Sequence, residues 1–162
     1  MAESADVAAD LPITGDVTIS AVLTVLRMSR VMERVDAGVS PQQYRMLKMI
    51  GAGGERSARL AEKLAVARPT LTSTADSLVA AGLACRQAEA GDRRVVRLCL
   101  TAAGAAAIER ADAAYSTWFG SLLDHTGRRG EIEADLLRLD EAMTERRRAR
   151  LSADADTSAG QK

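Results

Sequence analysis

Residues 90–104 read AGDRRVVRLCLTAAG. In an extended chain Val96, Leu98 and Leu100 fall on one side and Val95, Arg97 and Cys99 on the other, so Val95–Leu100 is expected as a strand. Leu83–Ala88 reads as a second strand, and Glu89-Ala90-Gly91-Asp92-Arg93-Arg94 joins the two as a hairpin with a basic tip. The Thr101 hydroxyl can cap a helix. That helix is expected to run to about Leu123 through Ala105, Ile108, Ala111, Tyr115, Phe119 and Leu122, with Trp118 alongside.

Toward the N-terminus the hairpin is preceded by a pair of short helices. Ser57 can cap the first, which carries Leu60, Ala61 and Leu64 on one face, and Ala65-Val66-Ala67 is a tight connection. The second starts near Arg68-Pro69, where proline is tolerated because first-turn N–H groups have no helical acceptor. Its inner face is Leu71, Ala75, Leu78 and Val79, and Ala81-Gly82 stops it. Two short helices around a tight turn make a helix-turn-helix, and the hairpin gives it a wing. Ahead of the pair, Ser40 caps another helix, Pro41 takes its first position and Gln43 completes a capping box. This helix turns Tyr44, Leu47 and Ile50 inward and ends at Gly51, with a turn at Gly53-Gly54.

Long helices flank this centre. From Val17 to about Ala37, helical spacing links Val22, Val25, Ser29, Met32 and Val35, with Leu26 alongside, and Gly38 ends the run. Asp124–Gly127 is a break. A last helix at about 129–150 carries Ile132, Leu136, Leu139 and Met143 and ends in Arg146-Arg147-Arg148. A lone amphipathic helix is unstable, so these stripes are expected to pack against the same helices of a second chain. The expected fold is mainly α with a small β-hairpin wing. Its parts are a flexible acidic arm (1–16), an N-terminal dimerisation helix (17–39), a winged helix-turn-helix domain (40–100), C-terminal dimerisation helices (101–150) and a disordered tail (151–162).

Composition agrees. Of 162 residues 47% are apolar but only 2% aromatic, so the core must be aliphatic, which suits helices better than a sandwich or barrel. Basic and acidic residues balance at 22 each, which argues against a generally basic coat. The charges are segregated, however: residues 56–97 hold eight basic side chains against four acidic ones, whereas the arm has Glu3, Asp6, Asp10 and Asp16 and no basic residue. With no basic-then-apolar leader and no apolar run of membrane-spanning length, a cytoplasmic protein with no membrane partner is expected. Cys85 and Cys99 lack metal-ligand spacing and are too few for a disulfide scaffold. They fall on neighbouring expected strands, and whether they approach depends on a register the sequence leaves open. The one histidine, His125, sits in a helix break beside Asp124 with no nucleophile or metal ligands nearby, so neither catalysis, metal nor cofactor is expected.

Taken jointly, Ser40-Pro41-Gln42-Gln43-Tyr44 with Leu47, Leu60-Ala61-Glu62-Lys63-Leu64, Arg68-Pro69-Thr70-Leu71-Thr72, Leu78 with Gly82-Leu83, Asp92-Arg93-Arg94 and Leu100-Thr101 with Gly104 resemble the MarR family of bacterial winged helix-turn-helix transcription regulators. The pattern runs without interruption from about 40 to 104. The resemblance implies a homodimer that reads a palindromic operator, most often as a repressor, and that releases DNA when a small aromatic or phenolic ligand binds. It also implies that Arg94 is the wing residue reaching DNA, with Asp92 orienting it by an ion pair. The chain departs from the family's pattern at Ala67, where a capping Ser is common, at Ser73 and Ser77, where basic residues are common, and at Thr74, which replaces a usual Leu.

Read from the residues, the outer face of the recognition helix carries Arg68, Pro69, Thr70, Thr72, Ser73, Asp76 and Ser77, a set suited to phosphates and base edges of a major groove. Arg93 or Arg94 at a hairpin tip can enter a minor groove, and Arg86 and Arg97 can flank phosphates. Tyr44, Tyr115, Trp118 and Phe119 suit core or dimer packing and are also the candidate effector pocket. The competing reading is a protein-interaction module that keeps the winged fold without reading an operator.

Overall fold

The computed structural model describes residues 16–51, 55–56, 60, 64, 66–89 and 92–159, with side chains described at all of these except 55–56, 89, 92–96, 151 and 154–159. The elements run α1 (Val17–Met32), α2 (Pro41–Gly51), β1 (Glu55–Arg56), α3 (Arg68–Ala80), β2 (Ala84–Glu89), β3 (Asp92–Leu100), α4 (Ala102–Asp124) and α5 (Arg129–Ala159). Leu60 and Leu64 are helical and buried between β1 and α3. The chain divides into two compact units, residues 1–115 and 116–162.

The first unit is organised around one aliphatic cluster. Met46, Leu47 and Ile50 of α2, Leu60 and Leu64, Leu71, Ala75 and Leu78 of α3, Ala84 of β2, Leu98 of β3 and Ala107 of α4 bury one another. Each fully buried Leu or Ile contributes about 1.5–3 kcal/mol by leaving water, so this cluster sets the stability of the winged centre. The capping box forms: the Ser40 N–H donates to Gln43 Oε1 (2.9 Å) and the Gln43 N–H to Ser40 Oγ (3.2 Å). At its far end α3 closes with a reciprocal pair of bonds, Gly82 N–H to the Val79 carbonyl and Leu83 N–H to the Leu78 carbonyl. This closure requires the left-handed backbone of Gly82 (φ +71°).

Leu83 then meets the start of α4. The Thr101 hydroxyl donates to the Gly82 carbonyl (2.7 Å) and accepts from the Gly104 N–H (3.0 Å), while the Thr101 N–H reaches the Leu83 carbonyl (3.3 Å). The two chains approach so closely that a Cβ on Gly104 would lie 2.0 Å from the Leu83 oxygen. Thr101 is therefore both helix cap and joint between wing and recognition helix.

Four expectations change. The sheet has three strands in the order β1-β3-β2, because Glu55 and Arg56 pair antiparallel with Leu98 and Arg97. Two residues are too short a strand to show any periodicity. The connection between β2 and β3 is only residues 90–91, and Asp92-Arg93-Arg94 belongs to β3 rather than to a six-residue tip, because the ladder continues to Glu89 opposite Asp92. Helix α1 ends at Met32, not near Ala37: Arg34 and Val35 donate to carbonyls three residues back, tightening the last turn, and Ala37 buries against Ala111 and Tyr115. Helix α5 continues to Ala159, through most of the expected disordered tail, since no strong helix breaker occurs before Gly160. The acidic arm lies outside the described residues apart from Asp16, whose carboxylate caps α1 by accepting from the Thr18 N–H (2.7 Å).

Among the described residues no helix is long and apolar enough to cross a membrane. Several apolar side chains of the long helices stand open, among them Val25 (61%) and Leu26 (59%) on α1 and Leu139 (55%) and Met143 (64%) on α5.

Candidate nucleic-acid interface

Helix α3 separates its faces cleanly. Leu71, Ala75 and Leu78 at positions i, i+4 and i+7 are buried, while Arg68, Pro69, Thr70, Thr72, Ser73, Asp76 and Ser77 are all exposed. Its first turn has no side-chain cap. Ala67 holds the extended backbone of a cap residue (φ −62°, ψ 145°) but has no oxygen to offer, so first-turn N–H groups face outward with the positive end of the helix dipole.

Part of the exposed face is engaged by neighbours. Asp76 forms an ion pair with Arg86 of β2, tying the recognition helix to the wing. Gln43, already in the α2 capping box, donates from Nε2 to Ser77 Oγ (3.0 Å). The Thr72 hydroxyl turns back to the Arg68 carbonyl (3.0 Å) and that of Thr74 to the Thr70 carbonyl (2.9 Å). Arg86, expected beside a phosphate, also pairs with Asp76, and the sequence carried no signal for that pairing across ten residues.

In the wing, β2 and β3 pair in register from Ala84 opposite Leu100 to Ala88 opposite Val96, and then Glu89 stands opposite Asp92. Arg93, Arg94 and Val95 therefore lie in a bulge of β3 with no residue opposite them. Bulges twist a hairpin and re-aim its side chains, and this one holds both arginines singled out from the sequence. Their side chains, and that of Asp92, lie outside the described residues. Arg97, half-buried, sits one rung beyond Leu98, with Gln87 opposite it on β2 and Arg56 on β1. Arg56 lies on a strand that sequence reasoning missed.

The sequence profile of the MarR family matches residues 37–95. Comparison with curated proteins found no match. Among solved structures, the chain is similar to the transcriptional repressor CouR bound to a 23-mer DNA duplex, at 26% identity and a TM-score of 0.68, covering 76% of this chain and 89% of that one. It is similar to a MepR-like protein complexed with pseudoligands at 28% identity and a TM-score of 0.59, covering 78% and 91%. Its fold is also that of apo MarR from E. coli, at 20% identity and a TM-score of 0.66, covering 79% and 97%.

The chain carries a MarR-family domain at residues 37–95. It is a sequence-specific DNA-binding regulator with a winged helix-turn-helix.

The aromatic residues fall into two pairs. Tyr44 and Tyr115 tilt against each other with ring centroids 5.1 Å apart, beside Ala37, Ala111, Val35 and Val39. The Tyr44 hydroxyl donates to Asp112, whose carboxylate also holds Lys48 Nζ at 3.1 Å. Burial, and then the bond to Asp112, push Tyr44 up to about 12. The same bond, with help from Lys48, holds the Asp112 carboxyl below its ordinary value. Burial raises Tyr115 as well, and its hydroxyl is buried with no hydrogen-bond partner among the described residues. Asp112 and Lys48 complete this cluster across 64 residues of sequence, which spacing could not reveal. Trp118 and Phe119 form the other pair, 5.9 Å apart. Phe119 with Glu133, Leu136 and Leu137 borders an open concavity of about 390 Å³. His125 lies exposed, Nδ1 2.6 Å from the Ser121 carbonyl, as part of the α4 terminus. Among the described residues no three His, Cys, Asp or Glu gather as metal ligands.

Proposed function

We propose that two copies of this chain bind a palindromic operator as a repressor and that a small aromatic or phenolic ligand releases them. The observation that carries the reading is the juxtaposition of an uncapped, exposed α3 with a wing whose bulge holds Arg93 and Arg94. In this reading α3 enters the major groove, its open N-terminus and Arg68 meeting phosphate and its hydroxyls meeting base edges. Arg94, oriented by Asp92, enters the flanking minor groove, where negative potential concentrates. The Arg86–Asp76 pair sets the angle between the two. The 23-mer bound by CouR spans about two helical turns, enough for two half-sites one turn apart. The exposed apolar residues of α1 and α5 are the surfaces a second copy would cover. The Tyr115 hydroxyl, beside Tyr44 and without a partner among the described residues, is a ready donor for a phenolic ligand, and the pseudoligands of the MepR-like protein support a ligand in this fold.

Selection of bound fragments from a random DNA pool tests it. An enriched palindrome, with sedimentation at twice the chain mass, is expected. Arg68→Ala should weaken binding evenly across sequences and lower the salt slope by about two per dimer, one phosphate contact per copy. Arg94→Ala should cost at least about tenfold in operator affinity. No palindrome, together with an unaffected Arg94→Ala variant, would leave the protein-interaction module as the function.

A further inference from the structure

The only two cysteines of the chain occupy a single rung of the wing: Cys85 of β2 stands directly opposite Cys99 of β3. Both are free thiols and both are half-buried. They point to the face opposite the buried Ala84 and Leu98, since side chains alternate along a strand. Directly opposed residues of an antiparallel pair have Cα atoms about 4.5–5.5 Å apart, inside the roughly 4.4–6.8 Å that a disulfide spans. The Cys99 thiol already reaches across the strand gap, donating to Gln87 Oε1 of β2 at 3.3 Å.

We propose that Cys85 and Cys99 are an oxidation-responsive pair that a hydroperoxide converts into an intramolecular disulfide, altering how the wing presents its arginines. One thiolate attacks the peroxide, breaking the O–O bond, releasing an alcohol or water and becoming a sulfenic acid. The other sulfur then attacks the sulfenic sulfur and expels water. The pair loses two electrons and two protons, and the peroxide is the species reduced. A thiol reductant reverses the step, and disulfides that are exposed or strained are the readily reduced ones.

The consequence follows from the position of the rung. On one side, Ala84 opposite Leu100 abuts the Leu83–Thr101 joint. On the other, Arg86 opposite Leu98 reaches over to Asp76 on α3. A covalent link between these points locks the strand spacing and twist where the wing is tied to the recognition helix. It also releases Gln87 from Cys99.

Full-length protein treated with hydrogen peroxide, then digested under non-reducing, thiol-blocked conditions, tests the proposal by mass. The expected product is a peptide pair linked through Cys85 and Cys99 within one chain, with both free thiols lost and regained on reduction. DNA retention should fall about threefold or more on oxidation, recover with dithiothreitol, and not respond in Cys85→Ser or Cys99→Ser, checked for native far-UV circular dichroism. The mass readout needs neither DNA nor a variant. Thiols that persist, stop at sulfinic acid or link between chains overturn the proposal. A disulfide that forms and leaves DNA retention unchanged overturns its regulatory half.

Discussion

Replacing Gly104 by Ala tests the joint between wing and recognition helix. On helix propensity alone the change should stabilise α4, by up to about 1 kcal/mol. The structure reverses that sign. The new methyl would sit 2.0 Å from the Leu83 carbonyl oxygen, 3.0 Å from its carbon and 2.8 Å from Leu100 Cδ1. Two of those atoms are backbone, so no rotamer change relieves the overlap and the α3–β2 connection must move by about 1 Å or more. That movement opens the 3.3 Å bond from the Thr101 N–H to the Leu83 carbonyl and strains the 2.7 Å bond from the Thr101 hydroxyl to the Gly82 carbonyl. Two such bonds are worth about 1 kcal/mol each, and overpacking a rigid site adds about 1–3 kcal/mol. After the helical gain, Gly104→Ala should lose about 2–4 kcal/mol. Urea denaturation followed at 222 nm, at one fixed protein concentration, measures it. A variant as stable as the parent, or more so, refutes the close approach.

Four further outcomes follow. Leu47→Ala, at a fully buried position of α2, should cost about 2–5 kcal/mol, read by the same denaturation. Ser40→Ala removes one half of the capping box and should cost about 1 kcal/mol, whereas Ser40→Thr should recover most of it. Tyr44 is raised from 10.0 to about 12, so it stabilises the fold below pH 10 and loses that contribution as pH climbs toward 12. Absorbance at 295 nm should show little tyrosinate in the native protein at pH 10, since Tyr115 is raised too, and a rise on unfolding. Tyr44→Phe removes the bond that depresses Asp112, so its deficit should be greatest at neutral pH and close as pH falls below 3.8, where the carboxylate protonates.

Much of the fold is legible because its signals are local. Ser40 to Gln43, Pro69, Gly82 and Thr101 each specify a helix end within four residues, and the α3 apolar spacing of 71, 75 and 78 separates buried from exposed face. The seven outward residues of that helix follow from the same spacing. What stayed hidden joins distant residues. A two-residue strand at Glu55–Arg56, Arg86 held by Asp76, Ser77 held by Gln43, and Asp112 gathering Tyr44 and Lys48 have no sequence spacing that announces them.

The sequence by itself determined the helix ends, the inward faces and the presence of a basic wing, because hydrogen-bond capping and apolar periodicity act over one or two turns. Only the tertiary structure decided the strand register. That register placed Cys85 opposite Cys99 and left Arg93 and Arg94 in a bulge rather than at a loop tip. Register follows from which side chains the common core of Leu98, Ala84 and Leu78 accepts, a choice made between segments and not within any one of them.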